Sequence, residues 1–377
     1  MSRVPLCDRH FMALALALAD RGAYTTAPNP RVGCVIVKHD EVLGQGWHAR
    51  AGQAHAEINA LREAGDQARG ATAYVTLEPC GGHGRTPPCV DALIHAGIAR
   101  VVVASVDRSQ HENQGVERLR AAGVVVEHLP CPEARELNQG FFSRIERQRP
   151  WVRIKLAMSL DGRTALATGE SKWITSAQSR EDVQTWRARS CAVLTGSGTL
   201  HADNPRLTVR LADPQTAFVA PLRVVLDQDL KGPTDAHVWD GEAPTLIFHG
   251  PAVTPQGVPS DSVRFRQVGL SDGRLDLHQV MACLAEEGCN EVQVEAGAVL
   301  CGALAAAGLV DEWLIYIAPL LLGSDARPLL GINGLTSLAE ARQLSIVEQC
   351  LVGGDLRLRL KPLGGEPALS VAVEEAI

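Results

Sequence analysis

The sequence predicts an α/β protein with two domains. Its 377 residues are enough for about two domains of ordinary size. Hydrophobic residues make up 46% and charged residues 21% of the chain, as in globular proteins, which excludes a disordered or fibrous protein. In both halves, short apolar runs typical of strands alternate with segments of helical spacing, which indicates layered α/β sheets.

The first half begins with a predicted helix at 8–21, where Asp8 can serve as the N-cap and residues 11–19 are all apolar. After the Pro-rich loop at 28–30, apolar runs predict strands and amphipathic spacing predicts helices. The predicted strands are 32–37, a strand that follows the turn at 40–46, 73–77, 99–105 and 124–127, and the predicted helices are 54–64, 89–96 and 116–122.

The polar stretch at 144–150 ends in Pro150, and an alternating strand begins at Trp151. We therefore place the first domain at 1–148, the second at 149–362 and a loose C-terminal tail at 363–377. The second domain again alternates strands with helices, so we expect a second α/β fold. Its predicted strands are 151–157, 192–196, 223–227, 245–249, 291–295 and 312–317, and its predicted helices are 179–190, 277–287 and 298–307.

The net charge, the cysteine content and one apolar run indicate which partners and which cellular compartment to expect. The chain has 36 Lys and Arg against 43 Asp and Glu, a formal net charge of −7, and no dense basic run, so nucleic acid is not expected as a partner. Ten dispersed cysteines in a chain of this length predict reduced thiols and a cytoplasmic protein. The apolar run at 11–19 overlaps the length of a secretory segment but is too short to span a membrane, and we favour a buried helix.

One group of residues has the composition of a zinc site. His55 and Glu57 form a His-x-Glu pair, and Cys80 and Cys89 follow in the run PCGGHGRTPPC at 79–89. One imidazole and two thiolates leave a fourth zinc position open to water, as in catalytic sites, and Glu57 would act as the base. We place His55 at the helix entry, since residues i and i+2 of a helix point about 200° apart. In the alternative interpretation, the cysteines are ordinary buried residues and His55 a surface histidine.

The pattern partly matches the signature of zinc base deaminases, but eight residues separate the two cysteines instead of two. That insertion, with PNPRVGC at 28–34 and GWHARAG at 46–52, resembles the deaminase half of the bifunctional deaminase-reductase family of riboflavin biosynthesis. The resemblance implies a cytidine-deaminase-like three-layer domain that removes an amine from a phosphoribosylamino-pyrimidine, with Glu57 shuttling protons. It also implies substrate contacts at Asn29, His48 and His83.

The second half resembles the reductase half of the same family, a dihydrofolate-reductase-like domain. The matching stretches are KLAMSLDG at 155–162, GESKWIT at 169–175, TGSGTLHADNP at 195–205 and EAG at 295–297. The resemblance implies NADPH contacts from Ala157, Trp173, Thr199, Asp203, Gly297, Ala298, Val299, Leu300, Cys301, Gly302 and Ala303. It implies substrate contacts from Ser171, Arg187, Leu207, Arg210 and Glu295.

The physical chemistry of these stretches agrees with a phosphate-bearing cofactor. The turn that begins at Glu295 follows an apolar strand and opens an apolar helix, where backbone N–H groups can face a pyrophosphate. It lacks the G-x-G-x-x-G pattern, so a Rossmann fold is not supported. Arg187 and Arg210 suit a sugar phosphate, because a guanidinium binds phosphate through two hydrogen bonds. Asp203 is our candidate proton donor, and Asn204 and Gln228 differ from the residues that members often carry.

These observations favour one chain that performs two consecutive steps on a small phosphorylated pyrimidine, with Zn²⁺ and NADPH as cofactors. The first step would deaminate 2,5-diamino-6-hydroxy-4-(5-phosphoribosylamino)pyrimidine, and the second would reduce the sugar to give 5-amino-6-(5-phosphoribitylamino)uracil. We expect a homo-oligomer that binds neither nucleic acid nor membrane. The alternatives are a zinc deaminase of tRNA or nucleoside bases with an RNA-binding second half, and an inactive regulator that senses flavin precursors.

Overall fold

The computed structural model describes residues 6–82, 87–107, 115–233, 235–257 and 260–363. The chain forms two compact units. The first runs to Pro150 and includes Ala217–Val219 and Ala285–Asn290, and the second contains Trp151–Thr216, Ala220–Leu284 and the chain from Glu291. Three parts of the chain lie outside the described residues and bear on the predictions above. They are the predicted substrate contact His83, the segment 108–114 ahead of the predicted helix at 116–122, and the predicted tail from residue 364 onwards.

The first unit is built on a sheet that has five strands within the described residues, in the order β2-β1-β3-β4-β5. Strand β1 pairs antiparallel with both β2 and β3, whereas β3, β4 and β5 are parallel. The strands are β1 (Gly33–Lys38), β2 (Glu41–Trp47), β3 (Thr72–Val75), β4 (Arg100–Val103) and β5 (Val125–His128). The helices are α1 (Leu6–Asp20), α2 (Ala56–Ala64), α3 (Cys89–His95), α4 (Gly115–Ala121), α5 (Pro132–Leu137) and α6 (Gln139–Arg147).

Helices cover both faces of this sheet, because successive side chains of a strand point to opposite faces. Cys34 and Ile36 of β1 pack in a core with residues of α2 and α3. Val35 and Val37 pack with Phe11, Met12, Ala15 and Leu18 of α1 in the core on the other face. This three-layer arrangement confirms the predicted fold class and the buried first helix, whereas α5 and α6 were not predicted. No helix among the described residues is long and apolar enough to cross a membrane.

Two glycines of β2 bring α2 against the sheet. A Cβ at Gly46 would lie 2.2 Å from the carbonyl oxygen of Ala56, and one at Gly44 would lie 2.3 Å from that of Ala60. Any larger residue would therefore push the helix away from the strand. This close approach sets the position of the first turn of α2, where His55 and Glu57 are found.

The second unit contains a sheet with nine strands in the described part of the chain, in the order β11-β10-β9-β8-β14-β6-β15-β18-β17. The first seven strands in that order are parallel to one another. Strand β18 pairs antiparallel with β15, and the edge strand β17 pairs antiparallel with β18. The large strands are β6 (Trp151–Ser159), β8 (Ala192–Gly196), β9 (Leu222–Leu226), β10 (Thr245–His249), β11 (Val263–Gln267), β14 (Glu291–Val294), β15 (Glu312–Ala318), β17 (Leu344–Val352) and β18 (Asp355–Pro362).

Four α-helices, two short 3-10 helices (His237–Trp239 and Leu338–Glu340) and two small antiparallel strand pairs complete the described part of this unit. The helices are α7 (Ala177–Arg189), α8 (Ser197–Asp203), α9 (Leu277–Glu286) and α10 (Ala298–Ala306). The small strands are β7 (Arg163–Ala165), which pairs with β16 (Arg327–Pro328), and β12 (Leu270–Ser271), which pairs with β13 (Arg274–Leu275). The α/β class was predicted correctly, but strand β11, the antiparallel pair β17–β18 and helix α8 were not predicted.

A buried ion-pair network crosses the middle of the larger sheet. Arg153 of β6 donates to Glu312 of β15 at 2.9 Å and to Glu291 of β14 at 3.0 Å. Arg359 of β18 donates to the second oxygen of Glu312 at 2.6 Å. Burial alone would raise the pKa of Glu312, but the positive charges of Arg153 and Arg359 lower it to about 2. The network therefore depends on an ionised carboxylate that has no contact with water.

Replacing Glu312 by Gln leaves the buried Arg153 charge with only one carboxylate partner, so we expect the second unit to lose about 3 kcal/mol of unfolding free energy. Urea unfolding of the full chain followed by tryptophan fluorescence measures this loss, because five of the six tryptophans lie in this unit. Asp229→Asn is the control, since its ion pair with Lys231 is exposed and contributes little.

The stability difference between wild type and Glu312→Gln also depends on pH. A carboxylate with a folded-state pKa of about 2, against 4.5 as its ordinary value, stabilises the fold fully above about pH 4.5. That contribution is lost as the pH falls from about 4.5 towards 2. If the difference in unfolding free energy between wild type and Glu312→Gln stays constant between pH 4.5 and 2, the ionised Glu312 carboxylate does not stabilise the fold as proposed.

Candidate active sites

Three side chains from separate elements of the first unit meet at one point. His55 is the extended residue immediately before α2, Cys80 lies in the loop after β3, and Cys89 is the first residue of α3. His55 Nδ1 lies 3.1 Å from Cys89 Sγ and 3.5 Å from Cys80 Sγ. All three potential ligand atoms lie within 4.8 Å of one another. The predicted trio is therefore brought together.

These three atoms fit a zinc ion. Ligands about 2.0–2.3 Å from a tetrahedral centre lie roughly 3.3–3.8 Å from one another, close to the separations of the trio. One nitrogen and two sulfurs are donors that zinc prefers, and three of them leave a fourth position for a reactant. His55 is extended instead of helical, which resolves the geometric conflict with Glu57 that the His-x-Glu spacing raises.

The charges at this point also favour a cation. The hydrogen bond between the two thiols lowers the pKa of Cys80, and the same contact raises the pKa of Cys89. The contact therefore favours the thiolate form of Cys80, whose Sγ also accepts the backbone N–H of Cys89 at 3.3 Å. The hydrogen bond to Cys80 raises the pKa of His55. A metal that binds here replaces the protons that these groups share.

Glu57 lies beside the trio, in the first turn of α2, with only 3% of its surface exposed. Burial raises its pKa to about 7, and the negative charge of Cys80 adds to this effect. A carboxyl group that titrates near neutrality can both accept and donate a proton, which is the property needed in a general acid-base residue.

Asn29 and His48, two predicted substrate contacts, are hydrogen-bonded to each other next to the trio. His48 Nδ1 lies 3.2 Å from the carbonyl oxygen of Ala54, to which it donates, so its Nε2 accepts the amide of Asn29 at 3.0 Å. Burial lowers the pKa of His48, which keeps the ring neutral. The His48 ring lies 5.3 Å from the His55 ring. His83 is outside the described residues.

In the second unit, Arg187 and Glu295 form a largely buried ion pair. Arg187 Nε and Nη2 donate to the two carboxylate oxygens at 2.6 and 2.8 Å, and Nη1 donates to the carbonyl oxygen of Thr208 at 2.8 Å. Burial would raise the pKa of Glu295, but Arg187 lowers it to about 2. Both residues were predicted to touch substrate, and the structure shows that each one is also the other's partner.

Lys155 belongs to the same cluster and was missed as a site residue. It lies on β6, and its charge interacts with Glu295 and Arg187, while burial lowers its pKa. The signal in the sequence was a lysine within the otherwise largely apolar strand that leads to Ala157. The cluster of Lys155, Arg187 and Glu295 therefore joins β6, α7 and the end of β14.

The predicted cofactor turn begins at Gly297, the N-cap of α10. N–H groups of a first helical turn have no partner in the helix, so those of Ala298, Val299 and Leu300 suit a phosphate. Cys301 is less available to a phosphate, because its backbone N–H donates to the carbonyl oxygen of Gly297 at 3.2 Å and its side chain is fully buried. Gly302 is buried and Ala303 half-buried further along the helix.

The remaining predicted contacts divide into exposed and buried groups. Trp173 is 68% exposed, and Arg180 lies 4.3 Å above its ring. Leu207 packs in the core of the second unit with Val193 and Leu200, which leaves its backbone for a substrate contact. The others are the half-buried residues Ala157 on β6, Ser171 between β7 and α7 and Thr199 on α8, and the exposed residues Asp203 and Arg210.

The two atypical residues near the cofactor stretches have structural roles. Asn204 ends α8 in the left-handed conformation, and its Oδ1 accepts the N–H of His237 at 2.8 Å. Asparagine adopts this conformation more readily than most residues, which explains its presence at the helix end. Gln228 donates to the carbonyl oxygen of Gly273 at 3.2 Å.

Comparisons with known proteins cover both units. The family model of the RibD C-terminal domain matches residues 150–357, and that of the cytidine and deoxycytidylate deaminase zinc-binding region matches residues 6–105. Riboflavin biosynthesis protein RibD of Escherichia coli is 49% identical over 94% of this chain and 99% of that protein. Its namesake from Haemophilus influenzae is 44% identical over 95% of this chain and 98% of that protein.

Two solved structures are similar to this chain over nearly its full length. RibD of Acinetobacter baumannii has a TM-score of 0.87 and 41% identity, and the alignment covers 95% of this chain and 99% of that one. A diaminohydroxyphosphoribosylaminopyrimidine deaminase/5-amino-6-(5-phosphoribosylamino)uracil reductase of Thermotoga maritima has a TM-score of 0.84 and 30% identity, with the same coverage. Since this likeness runs through both units, the chain belongs to the RibD family of bifunctional deaminase-reductases of riboflavin biosynthesis, enzymes whose cofactors are zinc and NADPH.

Proposed function

We propose that the first unit deaminates 2,5-diamino-6-hydroxy-4-(5-phosphoribosylamino)pyrimidine at the point where His55, Cys80 and Cys89 meet. The observation that carries this proposal is the trio itself, with its ligand atoms within 4.8 Å and Glu57 buried beside it. The three residues would hold zinc. When bound, zinc makes a water molecule a better nucleophile at neutral pH.

Glu57 would then move the protons of the reaction. Its carboxylate accepts a proton from the attacking water and returns a proton to the departing amine, so that water and the amine become a ring carbonyl and ammonia. Neutral His48, held by Asn29 and the Ala54 carbonyl, would bind the pyrimidine without adding a positive charge. His83 would be a further contact.

We propose that the second unit reduces the deaminated product at the cluster of Lys155, Arg187 and Glu295. NADPH supplies a hydride to the sugar carbon when it is bound. The first turn of α10 would hold its phosphates, and the exposed Trp173 and Asp203 and the half-buried Thr199 would line its path. Ser171, Leu207 and Arg210 would contact the sugar phosphate.

Within this cluster, Glu295 would touch the sugar. Arg187 would hold the carboxylate of Glu295 in position, because three N–H groups of Arg187 already have protein acceptors. Glu295 and Lys155 are the titratable groups that burial brings together here, whereas Asp203 is exposed. Because Arg187 keeps Glu295 ionised, Glu295 would accept a hydrogen bond from the sugar, and the proton of the reduction would come from Lys155, whose pKa burial lowers, or from Asp203.

The domain limits and the cellular setting are also proposals. We assign deamination to 1–148 and reduction to 149–362, in agreement with the division of the chain at Pro150. We propose a cytoplasmic homo-oligomer that acts on a small phosphorylated pyrimidine. Light scattering of the purified chain measures its oligomeric state.

The alternative function, deamination of RNA bases, is disfavoured by the net charge of −7. Filter binding with tRNA at physiological salt tests this alternative.

Glu57→Gln is expected to lower ammonia release by about 10²–10⁴-fold, because glutamine can neither accept nor return the proton. NADPH oxidation with the deaminated intermediate should stay unchanged. Glu63→Gln, an exposed residue on the same helix, is the control. Wild-type rates of ammonia release in Glu57→Gln are incompatible with the assigned mechanism.

Cys80→Ser should remove most of the zinc, from about one ion per chain, since a serine hydroxyl is a poor replacement for a thiolate. Elemental analysis of the purified protein gives the content. Cys131→Ser in the same unit serves as the matched control, because Cys131 is not part of the trio. Equal zinc in both variants contradicts the ligand assignment.

Glu295→Gln is expected to lower kcat of the reduction by about 10²-fold, with deamination intact, because the amide removes the charge that orients Arg187 and Lys155 beside the sugar. Asp203→Asn should have a smaller effect on kcat, because Asp203 is exposed at the end of α8. Steady-state NADPH oxidation with the deaminated intermediate measures both variants, and Glu242→Gln controls for loss of a surface carboxylate. The opposite order would make Asp203 the proton donor.

A further inference from the structure

Helix α4 lies directly against the loop that carries Cys80. Its first residue is Gly115, and a Cβ there would lie only 2.5 Å from the carbonyl oxygen of Pro79. The same Cβ would lie 3.5 Å from the backbone nitrogen of Gly81. The helix therefore touches the loop on both sides of Cys80, and its approach to Pro79 is one that only glycine permits.

A second contact joins the start of α4 to the same loop. The carboxylate of Glu78 accepts the backbone N–H of Val116, and it also accepts that of Asp107 at 3.2 Å. An acidic side chain that accepts N–H groups at a helix start stabilises that end of the helix. Glu78 precedes Cys80 by two residues, so this contact fixes the approach to the sulfur ligand.

Arg118, one turn further along α4, connects this loop to helix α3. Its Nη1 donates to the carbonyl oxygen of Gly81, the residue after Cys80. Its Nη2 donates to the carboxylate of Asp91, two residues after Cys89. One guanidinium thus bridges the segments that carry the two sulfurs, although it touches neither sulfur.

We infer that α4 clamps the two cysteine segments together, and that Arg118 is a positioning residue that slows the release of zinc. This inference rests on the proposed ligand trio. To release the metal, the Cys80 loop has to move away from the start of α3, and Arg118 opposes that movement through both of its contacts. Residues behind the ligands of a metal site commonly change metal affinity by 10–100-fold.

The contacts of Arg118 predict a specific effect on the metal rather than a general loss of stability. The Arg118 and Asp91 side chains are 38% and 46% exposed, and an ion pair this accessible to water contributes little to folding. Replacing Arg118 should therefore leave the thermal unfolding of the zinc-free chain nearly unchanged while zinc leaves faster.

The test follows the transfer of zinc from the full-length protein to a chromogenic chelator in excess. We expect Arg118→Met to release zinc about 10–100-fold faster than wild type. Arg118→Lys keeps a single cationic donor and should give an intermediate rate. Asp91→Asn weakens one of the two contacts and should also accelerate release. Arg120→Met is the matched control, because Arg120 is an exposed arginine on the same helix.

Equal release rates for Arg118→Met, Asp91→Asn and Arg120→Met overturn the inference. If Arg118→Met does not fold, Arg118→Lys and Asp91→Asn still decide it. Excess zinc should restore ammonia release in Arg118→Met, and a loss of activity that zinc does not restore would assign Arg118 a role other than metal retention. A wild-type protein without zinc would instead overturn the proposed ligand trio, so the two failures are distinguishable.

Discussion

Both sites depend on one constraint, which is that a buried charge needs a partner of opposite sign. In the second unit, Arg187 and Glu295 satisfy this need for each other, and Arg153 does so with two carboxylates of the same sheet. In the first unit, the thiolate of Cys80 is stabilised by donors from Cys89. A metal or a substrate that enters these places meets groups that are already ionised and oriented.

The sheets supply the positions at which such charges can be paired. His55, Cys80 and Cys89 are far apart in sequence, yet His55 and Cys89 lie where helices begin and Cys80 lies in the loop that follows β3. Side chains at such positions are held by a rigid element while they reach beyond it, which suits a site that must keep its geometry. The close contact of Gly46 with Ala56 places the whole first turn of α2 in that frame.

Several features of the sites could be read from the sequence because they depend on residue type and spacing. The proposed zinc trio and Glu57 belong to this group, since few combinations of histidine and cysteine suit a metal. The pairing of Arg187 with Glu295 could not be read, because 108 positions separate them. Lys155 and the burial of Cys301 and Leu207 were missed for the same reason: the surroundings of a side chain depend on elements distant in sequence.

The sequence by itself determined the α/β class, the two-part organisation of the chain and the residue types of the metal site, since these follow from periodicity and local motifs. Tertiary structure alone decided which charges pair, and that Arg118 of α4 joins the two cysteine segments. The physical reason is that strand order and helix packing bring these groups together. Local spacing along the chain carries no information about contacts of that kind.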